Sequence, residues 1–310
     1  MRTVLRRLGQ ALLTLAGAAV LVFGMLAVTP GDPAQRVLQA RGVLEPTPAA
    51  VAAVRAELRL NDPLPVRFGR WAGDAVRGDL GVSWRTGRPV AAEFAQRLPA
   101  TLRLTVAALG IAVVAALALG TTAALGAGRW PDTVSRVVAL VLLVVPGFVL
   151  GVVLLDLVVV RAGLGRVIAD GGWGTVLLPA LVLATGSVPV WSRVLRTSLV
   201  EAGGAVHVTV ARARGAGPLR VLLVHRLPHA LAPFLTMVGL GTAALIGGAS
   251  IVESVFTWPG VGRFTVEAIT ARDMPVIVGF TLLAVVAYVV ASLILDLVCA
   301  VIDPRLRGAR

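Results

Sequence analysis

Six stretches of this chain are apolar for the length of a bilayer crossing, and that pattern constrains the fold more than any other feature. A spanning helix needs about 20 predominantly apolar residues. The stretches run over 8–28, 98–125, 134–160, 176–195, 230–252 and 276–302. Several carry Gly or Pro, as at Pro146–Gly147 and Pro189. Membrane helices tolerate these where neighbouring groups satisfy the freed backbone. The expected architecture is an all-α membrane protein with six transmembrane helices.

Composition supports this reading. Hydrophobic residues make up 57% of the 310 and charged residues only 15%, where soluble domains have about a quarter charged. The formal net charge of +13 would suggest nucleic acid in a soluble protein. Here it fits arginines facing the cytoplasm and anionic headgroups. With one Tyr and no aromatic–basic interleaving, nucleic acid is not an expected partner, while membrane lipid is. All 29 basic residues are Arg. A nucleotide-binding P-loop needs a Lys to reach the phosphates, and kinases need one as well. Any ATP used must therefore be hydrolysed by another chain, and a Schiff-base cofactor is excluded for the same reason. Cys299 is the one cysteine, so no internal disulfide is possible.

Arginine placement orients the chain. Arg2, Arg6 and Arg7 put the N-terminus inside. Inner loops then carry Arg129 and Arg136, the Arg193 to Arg226 region, and Arg305, Arg307 and Arg310 at an inside C-terminus. The short outer loops carry Arg161, Arg166, Arg263 and Arg272. The first stretch is too long for a secretory h-region and lacks a clean cleavage site, so an uncleaved helix is expected. The outer loop after it, 30–97, is longer than the loops the charge rule governs and is expected to fold. In it "AAVAAVRAELRL" has helical spacing after Pro48, "NDPLPV" is turn chemistry, and "RFGRWAGDAV" is a second short amphipathic helix.

Other candidate chemistries are thin. Asp156 and Asp296 lie in apolar stretches, where a carboxylate is costly; they are relay groups, packing partners or interfacial carboxylates. His225 and His229 have the i, i+4 spacing of two zinc ligands, but a metalloprotease would need Glu where Arg226 stands, and Pro228 intervenes. Ser250 as a membrane-protease nucleophile would lie a membrane thickness from every histidine. Gly247, Gly248 and Ala249 fit close helix packing.

The basic segment at about 200–228 interrupts the oil. "SLVEAGGAVHVTVARARG" ends in Gly215, suited to a left-handed helix C-cap. "AGP" then turns, and Pro218 suits the first position of a new helix. The expected form is a helix–turn–helix on the cytoplasmic surface, with Val206, Val210 and Ala213 on one face and Arg212 and Arg214 on others. A plain amphipathic helix lying on lipid is the alternative.

At these residues the chain resembles the permease subunits of ATP-binding-cassette importers. Their loop pattern is Glu-Ala-Ala, three residues, Gly, nine residues, Ile-x-Leu-Pro. Ala211, Gly215, Leu227 and Pro228 match it; Thr209, Val210 and His225 depart from it. The departures resemble the dipeptide, oligopeptide and nickel branch. "LAVTPGDPA", "RGDLGVSWRTGRPVAAEFAQRLPATL", "GGASIVESVFTWPGVGRF" and "VIDPRLR" are similar to the same branch, in order along the chain.

The resemblance implies a type I importer permease fold in a bacterial inner membrane. The chain would form half of a translocation pathway for peptides or related solutes, with nickel or metal chelates possible cargo. It would pair with a second homologous permease subunit in a heterodimer. Two ATPase chains, holding ATP and Mg, would grip the loop through Val206, Thr209, Val210, Ala211, Arg212, Ala213, Arg214 and Gly215, with Leu227 and Pro228 closing the motif. An extracytoplasmic solute-binding protein would dock near Glu253, Phe256, Trp258, Pro259 and Gly260, with Trp258 as an interfacial anchor. This chain would bind no cofactor or metal and catalyse nothing. Two domains are expected: 1–97, the first helix with its outer loop, and 98–310, a five-helix core. The rival reading, a stand-alone secondary transporter or channel, would show inverted repeats with broken helices or charges lining a midplane site; neither is evident in the sequence.

Overall fold

The computed structural model describes residues 2–28, 31–40, 42–164 and 168–302, with side chains described except at 2–8, 26, 40, 243 and 295–302. Arg166, the arginines after 302, and the side chains of Arg2, Arg6, Arg7, Asp296 and Cys299 lie outside that description.

All regular structure among the described residues is helical, apart from one isolated antiparallel bridge, Val82 to Pro89. The apolar first stretch forms α1 (Arg2–Val28). The segment 30–97 folds into short helices: α2 (Pro33–Ala40), which the sequence did not announce, and the expected α3 (Pro48–Glu57) and α4 (Leu64–Val76). Thr47 caps α3, its hydroxyl accepting from the Ala50 amide at 3.3 Å, and Pro48 starts the helix where a missing N–H costs nothing. Next come α5 (Val90–Leu125), α6 (Trp130–Val144) and α7 (Gly147–Leu154), which continues into a π-helical turn, Leu155–Arg161. Then follow α8 (Leu177–Thr185), α9 (Val188–Gly203), α10 (Val206–Ala213), α11 (Pro218–Arg220), a π-helical turn Val221–Arg226, α12 (Leu227–Val255), α13 (Val261–Thr270) and α14 (Met274–Ile302).

All six apolar stretches lie on helices, but two are not straight spans. Val90–Leu125, Pro218–Thr242 and Met274–Ile294 are long and apolar enough to cross a membrane among the described residues. The stretch 134–160 instead breaks between α6 and α7 with a 95° bend. Pro146 explains it: the residue before a proline is pushed out of the helical region, and Val145 sits extended at φ −79°, ψ 117°. The stretch 176–195 bends by 58° between α8 and α9, at Gly186 and Ser187. Gly9–Met25 of α1 is a shorter apolar helix.

The chain divides into two compact units, and not where the sequence suggests. The first joins Met1–Pro99 to Pro259–Val289; the second joins Ala100–Trp258 to Val290–Arg310. The first unit thus recruits α13 and most of α14 from what the sequence assigns to the core. Its larger core is Val90, Phe94, Val261, Phe264, Ala268 and Val276, and its smaller one is Ala34, Val37, Leu38 and Val54. The second unit is organised by an alanine stripe on α5. Leu104, Ala108, Ala112 and Ala116, spaced four apart, are wholly buried and let neighbouring helices approach closely. Trp191, Leu195 and Leu199 of α9 and Ala230, Phe234, Val238, Leu245 and Ala249 of α12 belong to the same core.

Candidate functional site

The loop at 200–228 has the helix–turn–helix form its sequence suggests. After α9 the chain turns at Gly204, and Ala205 is extended (φ −71°, ψ 145°) as the N-cap of α10. At the other end Gly215 has φ +81°. Its amide reaches the Arg212 carbonyl at 2.9 Å, and the Ala216 amide reaches back to Ala211 at 3.0 Å, the paired bonds of a Schellman stop. Pro218 opens α11. The chain reaches α12 through the π turn, a feature the sequence did not announce. Pro228 has no N–H for the carbonyl four residues back, and the wider turn lies immediately before it.

The two faces of α10 differ. Val206 and Val210 are exposed, as are Thr209, Arg212, Ala213, Arg214 and Gly215. Val208 is wholly buried and Ala211 nearly so; α10 packs on the π turn. Ala211 therefore faces its own chain, which corrects its expected place in a partner contact. Leu227 is half-buried and Pro228 exposed at the start of α12.

Histidines gather here, though not in the expected pair. His207 packs against His229 with ring centroids 4.8 Å apart and planes tilted by 51°, and its Nε2 lies 3.0 Å from the His225 carbonyl oxygen. The i, i+4 pair of His225 and His229 is thus replaced by a contact across the loop. Arg226 is buried and points both Nε and Nη2 at the Leu199 carbonyl of α9, at 3.0 and 2.6 Å. One turn earlier on α9, Arg196 makes a two-pronged pair with Asp132 of α6, both bonds at 2.7 Å. Neither arrangement was legible in advance, because both charges sit beside long apolar runs that give no partner.

The second candidate region is internal. Glu253 is fully buried and accepts from the Thr101 hydroxyl at 2.6 Å. Trp258 is also fully buried, its Nε1 donating to the Ala100 carbonyl at 3.0 Å. It cannot serve as an interfacial anchor: its ring contacts protein and its polar edge is satisfied inside. Phe256 is buried and lies against Gly151. Gly260 is buried as well, and Pro259 alone of the five is exposed.

In the first unit, two resemblance segments far apart in sequence meet. The Asp273 carboxylate accepts from the Ser83 hydroxyl at 2.5 Å and from the Trp84 and Arg85 amides at 3.2 Å. Arg97 pairs with buried Glu93 and lies 4.3 Å from the Phe264 ring centroid. This pins the "SWRTGRP" turn to α13 and α14. Asp156 pairs with Arg161 at 2.8 Å, both exposed, which favours a local carboxylate partner over a relay. Gly248 packs near Leu183 and Ala249 is buried, while Gly247 faces open space.

Comparison with known proteins identifies the family. Residues 116–308 match the model described as "Binding-protein-dependent transport system inner membrane component". The glutathione transport system permease proteins GsiC of Salmonella paratyphi A and Escherichia coli strain K12 are each 36% identical over 304 residues, covering 98% of both chains. Two solved structures share the fold. An inward-facing form of the MetNI methionine transporter matches at TM-score 0.54 and 17% identity, over 68% of this chain and 96% of that one. An amino acid ABC transporter matches at TM-score 0.50 and 19% identity, over 69% and 94%. Bent helices, an expected mark of a secondary transporter, do occur here, but the full-length similarity decides against that rival. The chain belongs to the binding-protein-dependent transport system inner membrane component family, the permease subunits of ATP-binding-cassette importers.

Proposed function

We propose that this permease subunit forms half of an import pathway for short peptides of the glutathione kind. The observation that carries the substrate class is the similarity to glutathione permeases over nearly the whole chain. The other half is a second, homologous permease subunit. A solute-binding protein delivers cargo at the outer face. Two ATPase chains bind ATP and Mg and do the hydrolysis, in keeping with the absence of any lysine here. The termini lie in the cytoplasm with the 200–228 loop. The exposed face of α10, Val206 and Val210 with Ala213, enters a groove on the ATPase, and Arg212 and Arg214 meet acidic groups at its rim. Support for this comes from a rigid helix, stopped at both ends, whose inner side is already taken by its own chain.

The test is reconstitution of this chain with its cognate partners in liposomes. ATP-dependent uptake of labelled glutathione, of a dipeptide and of nickel ions is measured side by side. Uptake of a peptide-like solute that requires the binding protein is the expected result. Transport of nickel alone would overturn the substrate class, and uptake without ATPases would overturn the assembly.

A further inference from the structure

Arg226 stands at the position the loop motif leaves open, between His225 and Leu227. It is 8% exposed and forms no ion pair among the described residues. Burying a cation without an anion is costly, and an apolar side chain of similar volume is often the more stable choice. What compensates it is the C-terminal part of α9, the negative end of that helix. Both donors converge on one carbonyl, Leu199, at 3.0 and 2.6 Å. The seat is shaped for the guanidinium: a Cβ on Gly203 would lie 3.0 to 3.1 Å from its Nη2, Cζ and Nε.

The contact joins the loop to the helices behind it. Val208 and Ala211 of α10 are buried, α10 packs on the π turn, and Arg226 ends that turn. Beyond Leu199, Arg196 ties α9 to Asp132 of α6.

We infer that Arg226, seated on Gly203 and bound to the Leu199 carbonyl, is a positioning residue that carries displacement of α10 into α9 and α6 during transport. This rests on the reading of α10 as the ATPase-docking helix. A buried cation held by a helix end serves as a link that can be loaded from either side; its burial argues against a role in stability alone.

The experiment uses the reconstituted complex and three variants: Arg226→Gln, Arg226→Lys and Gly203→Ala. Membrane level, ATPase copurification, ATP hydrolysis and uptake are measured together. In Arg226→Gln the ATPases remain bound, while uptake per ATP hydrolysed falls roughly tenfold, within the usual range of coupling free energies. Arg226→Lys recovers part of the ratio, because an ammonium can still reach a carbonyl. Gly203→Ala, which makes the guanidinium give way by a few tenths of an ångström and so strains its bonds to the Leu199 carbonyl, lowers the ratio with Arg226 intact. An unchanged ratio in Arg226→Gln and Gly203→Ala would overturn the link. Loss of all three variants from the membrane would make Arg226 a folding residue and also overturn it. Val210→Asp is the control for the docking reading: if its ATPases stay bound and transport is normal, that reading fails, whatever Arg226 does.

Discussion

At the scale of single residues, the second unit is held by contacts that leave no room for a methyl group. A Cβ on Gly241 would lie 2.6 Å from Cζ2 and 2.7 Å from Nε1 of Trp191, where α12 meets α9. A Cβ on Gly120 would lie 2.8 Å from the Ser192 carbonyl oxygen and 3.0 Å from the Leu195 side chain. Overpacking of this kind costs about 1–3 kcal/mol. The two sites should differ in their remedy. Gly241→Ala is expected to lower the detergent melting temperature, and trimming the indole with Trp191→Leu in the same chain should restore part of the loss. Gly120→Ala meets backbone, so no change to Leu195 should rescue it. Equal rescue at both sites, read by thermal unfolding of the purified chain, would contradict this packing. The sequence hides these pairs, since a glycine in an apolar run reads the same whether it faces lipid, as Gly247 faces open space, or an indole.

At the scale of the element, α10 is an eight-residue helix with a different task on each side. Its ends were legible: Gly215 before an Ala-Gly-Pro turn is a strong stop signal, and the structure places it at φ +81°. Its inner face was not, because Val206, Val210 and Ala213 form as good an apolar stripe on paper as Val208 and Ala211. Only the presence of the π turn beneath decides between them. The same holds for Trp258: a tryptophan beside Pro-Gly at a helix end suggests a membrane belt, and only the carbonyl of Ala100 reveals an internal strut. Three substitutions separate the roles of α10. Val210→Asp should leave the protein at its normal membrane level and reduce ATPase copurification. Ala211→Asp should lower the level itself, because the charge is driven into the chain's own packing. At Gly215 nothing lies within 4 Å of a Cβ, so the penalty there is purely conformational, about 1 kcal/mol or more for a β-branched residue. Gly215→Val should therefore lose transport while remaining in the membrane, and Gly215→Asn, which tolerates the left-handed region, should keep more of it. Normal uptake in both Val210→Asp and Gly215→Val would reduce α10 to a helix resting on lipid.

At the scale of the whole molecule, six apolar stretches and a motif-bearing loop were enough to reach the family, because hydropathy and turn chemistry are local signals. The division into units was not, because the first unit closes through contacts such as Asp273 on Ser83, 190 residues apart in the chain, and a lone carboxylate carries no sign of its partner. The same closure bears on how the orientation is tested. Ser83 is 1% exposed, so a cysteine there would be hidden from reagent and would break the Asp273 contact. Val76, at the end of α4, is 89% exposed and Leu219, in α11, is 67% exposed. Each can take a thiol without disturbing a core. The arginines of the 193–226 region and the N-terminal Arg2, Arg6 and Arg7 put Leu219 inside by the positive-inside rule, and an odd number of crossings between 76 and 219 puts Val76 outside. In a Cys299→Ser background, an impermeant maleimide added to intact cells should label Val76→Cys and spare Leu219→Cys until the membrane is opened. Labelling of both from the outside would require one bent pair, α6 with α7 or α8 with α9, to enter and leave on the same face. The 95° bend at Pro146 would then mark a re-entrant loop rather than a broken span, and the six-span arrangement would fail.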